Sequence, residues 1–188
     1  MVKDMPNDFN NKDCKNCPYC NGKHLNPPVN NCLPLSAELN DSNTLLIFQS
    51  PGFDEWTGNQ GKNNHAPIIS NKTSSTANRM RKSFERNETK RDSYDITEAV
   101  QCYPGKNISG RDKRPSITVI RCCSGHLAFD LGKNYEKVVV FGKVAETAVN
   151  LVFKADENLA KKYAGKIIFA PHPSSGLTYE ELDKACKL

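Results

Sequence analysis

The feature that most constrains this chain is the passage EKVVVF at residues 136–141, which runs through Gly142 into KVAETAVNLVF. An unbroken, β-branched apolar run of that length suits a strand covered on both faces, and the segment after the glycine has helical spacing. Its expected packing stripe is Val144, Thr147, Ala148 and Leu151. The same pattern recurs. TLLIF at 44–48 and KIIFA at 166–170 are further short apolar runs, and YDITEAVQCYP at 94–104 places Ile96, Ala99 and Val100 in a fourth. Helical patterns lie between them: 74–86, with Ala77, Met80, Arg81 and Phe84; 116–131, with Val119, Ile120, Cys123, Leu127 and Phe129; 155–163; and 178–187 at the end. Strands alternating with helices predict an α/β fold, three layers α/β/α around a central four-stranded parallel sheet.

In such a sheet, ligands bind at the carboxyl ends of the strands. Three predicted strand ends carry polar groups there: Gln49 and Ser50, the stretch from Glu98 to Cys102, and His172-Pro173-Ser174-Ser175. Glu98 is out of place by composition. A carboxylate among apolar strand residues is costly when buried alone, so it is expected to be exposed, paired or functional. Residues 53–72, with Trp56, read as a long loop.

The chain has 188 residues, eight of them cysteine, and a net charge of +5. One domain over 1–188 is expected, with 1–40 an irregular cysteine-rich segment that needs a staple. The opening MVKDMPNDFN lacks the pattern of a signal peptide and no apolar run approaches membrane length, which predicts a cytoplasmic protein without membrane contact. Thiols in that setting are metal ligands, reactive groups or small core residues rather than a disulfide framework. CKNCPYC spaces Cys14, Cys17 and Cys20 as metal ligands are spaced, with Cys32 following. These four can form a local zinc site, or some can join distant cysteines around an iron–sulfur cluster. The modest positive charge permits DNA as a partner.

Taken together, these motifs resemble the uracil-DNA glycosylase superfamily, nearest its iron–sulfur-containing family 4. CKNCP is similar to that family's CxxCP, FQSPGFDE to GEAPGxxE, ITEAVQCYP to ITNVVKCRP, VVVFGKVAETAV to its strand-Gly-helix segment, and HPSSGL to HPSxxL, all in the same chain order. The resemblance implies a monomeric DNA glycosylase that hydrolyses the N-glycosidic bond of a flipped-out base. It implies a 4Fe–4S cluster on Cys14, Cys17, Cys102 and Cys123, with Cys122 the alternative fourth ligand and zinc the alternative metal. His172 is implied as the donor to the departing base, Ser174 as a phosphate contact, and Leu177 as the wedge that fills the gap left in the stack.

The departures bear on substrate. Gln49 and Ser50 stand where the superfamily uses carboxylate or amide groups to position water, and Ile68 stands where the family stacks an aromatic on the base. Glu98 replaces the uracil-reading Asn. An ionised carboxylate only accepts hydrogen bonds, which suits the amine of a cytosine-type base, including a modified cytosine of phage DNA, better than O4 of uracil. Uracil fits if burial keeps Glu98 neutral. The other class of function in view is a catalytically silent nucleic-acid-binding module on the same fold. Lys106, Arg111, Lys113 and Arg114 are the loop cations expected nearest DNA.

Overall fold

The computed structural model describes residues 14–29, 33–58, 76–174 and 177–188. Four strands, β1 (Thr44–Phe48), β2 (Asp95–Glu98), β3 (Lys137–Phe141) and β4 (Ile167–Ala170), form one parallel sheet in the order β2-β1-β3-β4. Six helices accompany them among the described residues: α1 (Phe53–Gly58), α2 (Thr76–Arg86), α3 (Ile117–Gly132), α4 (Gly142–Ala155), α5 (Glu157–Lys162) and α6 (Tyr179–Cys186).

The alternation of side chains along each strand explains the three layers. Leu45, Ile47, Val138 and Val140 face one way and pack with Val119, Leu127 and Leu131 of α3 and Val144, Ala148 and Val152 of α4. Leu46, Phe48, Ile96, Val139 and Phe141 face the other way, against Met80 and Phe84 of α2 and Leu182 and Ala185 of α6. With both faces covered, each fully buried strand Leu, Ile or Val contributes about 1.5–3 kcal/mol relative to exposure. Ser116 caps α3, its hydroxyl accepting from Val119 N–H, and Thr178 and Glu181 form a reciprocal capping box on α6.

Several expectations need correction. The stretch after Pro51 does not begin as a loop but as α1, whose Trp56 is fully buried and donates from Nε1 to Leu33 O at 3.0 Å. Residues 59–72 of the expected loop lie outside the described residues. The inner face of α4 is Val144, Ala145, Ala148, Val149 and Val152, while Thr147 and Leu151 are only half-buried. In α3, Phe129 is exposed. Ala77 and Arg81 of α2 likewise yield the inner face to Asn78, Met80, Ser83 and Phe84. A one-residue rotation of the apolar arc separates these stripes, and only the position of the neighbouring layer fixes it.

A buried polar group anchors the amino end of the sheet. Asp95 accepts from Asn40 N–H (2.7 Å), Ser42 N–H (3.1 Å) and Tyr135 O–H (2.8 Å), and Thr97 Oγ1 donates to Asp130 at 2.5 Å. Burial raises the pKa of Asp130 to about 6, against the opposing hydrogen bond from Thr97.

Candidate functional site

All four strands run in the same direction, so the carboxyl edge collects the ends of β1, β2, β3 and β4 in a row. The pairing continues past β2. Ala99 N–H donates to Phe48 O (2.8 Å) and Val100 N–H to Gln49 O (3.0 Å), which fixes the Gln49-Ser50 turn against the segment leading to Cys102. Gln49 and Ser50 are half-buried and Pro51 is buried.

At the other end of the row, β4 delivers Pro171, His172, Pro173 and Ser174. Ser174 N–H donates to His172 Nδ1 at 3.3 Å, and Ser174 Oγ lies 2.8 Å from the same nitrogen. A backbone N–H only donates, so Nδ1 is an acceptor and the neutral ring carries its proton on Nε2. Burial lowers the pKa of His172, which favours that neutral form. Gly142, with φ +84°, passes beneath the ring: a Cβ there would lie 2.9 Å from His172 Cβ. The glycine at the end of β3 is therefore required both by its backbone conformation and by the close approach of the histidine. Gln49, Arg114, Gly142, Lys143, Phe169 and His172 are among the residues lining a cavity of about 560 Å³ at this end.

Glu98 ends β2 in register with Phe48. It is buried, at 8 % exposure, and its Oε2 has no hydrogen-bond partner. The nearby cation, Arg91, is engaged elsewhere, 2.9 Å from Glu38 Oε2 and 3.5 Å from Glu55 Oε1. Burial pushes the Glu98 carboxyl well above the ordinary carboxylate range, the negative charge of Glu55 adds to this, and Arg91 opposes it. Burial and the Glu55 charge thus favour the protonated form of Glu98, which has one O–H donor as well as acceptor capacity. The structure brings Gln49 and His172 into one cavity. Ser50 and Glu98 do not line it; Glu98 lies at the β2 end of the same edge.

Behind that edge the cysteines gather from three parts of the chain. Cys14 and Cys20 come from two short 3₁₀ turns and Cys17 from the link between them, Cys102 from the segment after β2, and Cys122 and Cys123 from α3. The Cys122 and Cys14 thiols act on that of Cys17, and Cys14 Sγ lies 3.6 Å from His126 Nε2. Cys17, Cys102 and Cys123 are buried. Burial pushes their thiols up, Cys17 to about 11 and Cys123 to about 12, and nearby thiols add to the effect in each case. No disulfide joins the described cysteines, and as arranged no group of three or more His, Cys, Asp or Glu among the described residues could hold a metal ion. The donor set is nonetheless thiol-rich, as soft-metal and cluster sites are.

Leu177 does not match its expected role. It is buried in the second core cluster with Met80, Phe84 and Leu182, and its carbonyl accepts from Arg79 Nη2, so it cannot enter a base stack without leaving the core. Ser174 is exposed but bonds His172. Ile68 and Cys32 lie outside the described residues. Sequence reasoning missed Phe169, half-exposed in the cavity wall, and the pair Glu55 and Arg91 that sets the charge around Glu98. Phe169 reads as a buried strand residue until β4 is known to be an edge.

The fold and site define an α/β/α protein with a carboxyl-edge site at the ends of four parallel strands and a thiol cluster behind it. No protein-family model matches the chain, and comparison with curated proteins gives no match. Among the described residues no helix is long and apolar enough to cross a membrane.

Proposed function

We propose that this chain is a DNA glycosylase of the uracil-DNA glycosylase type, hydrolysing the N-glycosidic bond of a flipped-out pyrimidine to leave an abasic site. The observation that carries the reading is a neutral histidine with its proton fixed on Nε2, on the same strand-end edge as a buried, unpaired carboxylic acid. As the glycosidic bond breaks, negative charge develops on the base and positive charge on the sugar. His172 Nε2–H stabilises the base oxygen, and Gln49, with Ser50, orients the attacking water.

Glu98 reads the base edge. In its neutral form it donates from O–H and accepts at C=O. It can therefore give a hydrogen bond to N3 of a cytosine-type base while accepting from the exocyclic amine, or give one to O4 of uracil while accepting from N3–H. The substrate class is accordingly a modified cytosine or uracil. Ionisation of Glu98 removes the donor, so excision falls as pH rises through its elevated pKa.

Cys14, Cys17, Cys102 and Cys123 are the residues that would hold a 4Fe–4S cluster. When bound, it supplies a cross-link between the irregular amino-terminal segment and the sheet.

The test is a gel assay for abasic-site formation on oligonucleotides bearing uracil, hypoxanthine, cytosine or 5-substituted cytosine. Wild type is expected to cleave at a pyrimidine, His172→Ala to lose most of the rate, and Glu98→Gln to retain it without the high-pH decline. No abasic sites on any of these substrates would overturn the reading.

A further inference from the structure

We infer that Ile108 is the apolar wedge this protein inserts into duplex DNA, presented on a hydrogen-bonded, basic finger beside the cavity; the inference rests on the glycosylase reading. Flipping a nucleotide leaves a gap in the stack, and an apolar side chain that fills it offsets an unstacking cost of a few kcal/mol. Leu177, the expected wedge, is part of the core.

Ile108 is fully exposed, at 109 % of its reference area. A lone exposed isoleucine means little; its setting gives it significance. Residues 105–113 form a tight finger, closed by an antiparallel bridge between Lys106 and Asp112 and by Lys113 N–H donating to Gly105 O at 2.7 Å. At the tip, Asn107 Oδ1 accepts from Ser109 N–H (3.0 Å), Ser109 Oγ (2.7 Å) and Arg111 N–H (3.1 Å), and Asn107 N–H donates to Arg111 O (2.8 Å). These bonds hold Ile108 outward while consuming the polar groups around it.

The base of the finger is braced. Tyr103 O–H donates to Asp112 at 3.2 Å, and Tyr103 O accepts from His24 Nε2 at 2.8 Å, the His24 ring being stacked on Tyr19 with centroids 3.9 Å apart. The cysteine-rich segment thereby supports the finger. Lys106, Arg111, Lys113 and Arg114 are all exposed along it, and Arg114 lines the cavity that His172 shares. An apolar tip flanked by four cations complements a base stack between two phosphate backbones.

A wedge matters only where there is a stack to open, so excision from duplex and single-stranded oligonucleotides separates it from a general binding contact. Ile108→Ala is expected to lower kcat/KM on duplex roughly 10- to 100-fold and to leave single-stranded excision within about twofold, with Ile108→Leu restoring the duplex rate. A duplex with 2-aminopurine beside the target position should brighten on binding wild type but not Ile108→Ala. Equal loss on both substrates, or no loss on duplex, overturns the wedge and leaves the glycosylase reading standing. If wild type excises nothing, the glycosylase reading falls; the 2-aminopurine comparison still decides the wedge, which fails if Ile108→Ala matches wild type.

Discussion

Gly142→Ala probes how the sheet positions its histidine. Two penalties apply at this position. An L-residue at φ +84° costs about 1–2 kcal/mol. The new Cβ would also stand 2.9 Å from His172 Cβ and 3.4 Å from Cδ2, whereas carbon atoms pack best at about 3.5–4.0 Å, so the histidine must retreat by roughly half an ångström to one ångström. Gly165 provides the control: its φ is +75° and an added Cβ there meets nothing within 4 Å, so Gly165→Ala carries the conformational cost alone. Thermal melts should show both variants lowered by roughly 2–8 °C, given about 2–4 °C per kcal/mol for a chain of this size. The abasic-site assay should separate them, with Gly165→Ala near wild type and Gly142→Ala slower by up to about 100-fold, the effect of moving a positioned group by about an ångström. Equal activity in the two variants would refute the claim that Gly142 sets the place of His172.

Other outcomes follow from the buried groups. Asp130 keeps its proton in the folded chain up to about pH 6 but loses it near 3.8 when unfolded, so the native state binds more protons in that window and stability falls as pH rises through it. Asp130→Asn should abolish this fall, worth roughly 3 kcal/mol, in denaturant titrations at pH 4 and pH 7. Glu98→Gln should remove a similar decline that begins near the ordinary carboxylate pKa of 4.5 and extends well above it, since burial raises the Glu98 pKa as well. Protein purified without air is expected to be brown, with broad visible absorbance lost in Cys102→Ala and retained in Cys20→Ala; zinc by elemental analysis, with no iron, would replace the cluster with the other metal.

What was legible in the sequence was whatever depends on local pattern. The runs at 44–48 and 136–141 announced parallel strands because burial on both faces demands unbroken apolar sequence, and 166–170 has the same pattern although β4 is an edge strand with Ile168 and Phe169 exposed. HPSS after the last strand marked the position of His172, since a strand's carboxyl end is set by where its apolar run stops. Helix faces were read less well: Thr147, Leu151 and Phe129 fell off the inner side, because a 3.6-residue period leaves the direction of the core undetermined by about one residue.

Other properties depended on residues far apart in the chain. Sequence alone marked Glu98 as a carboxylate needing explanation, but its raised pKa follows from burial, with the charge of Glu55 adding and Arg91, bound to Glu38 and Glu55, opposing, and these segments meet only in the fold. The same holds for the thiols: CKNC marked a ligand pair, while its approach to Cys102 and Cys122-Cys123 is set by how α3 crosses the sheet. The resemblance implied Leu177 as a wedge, yet it is core, while Ile108, which local pattern did not single out, is the exposed tip of a braced finger. Pattern along the chain determines which residues can be buried. Packing decides which ones are, and so what charge and exposure the candidate functional groups have.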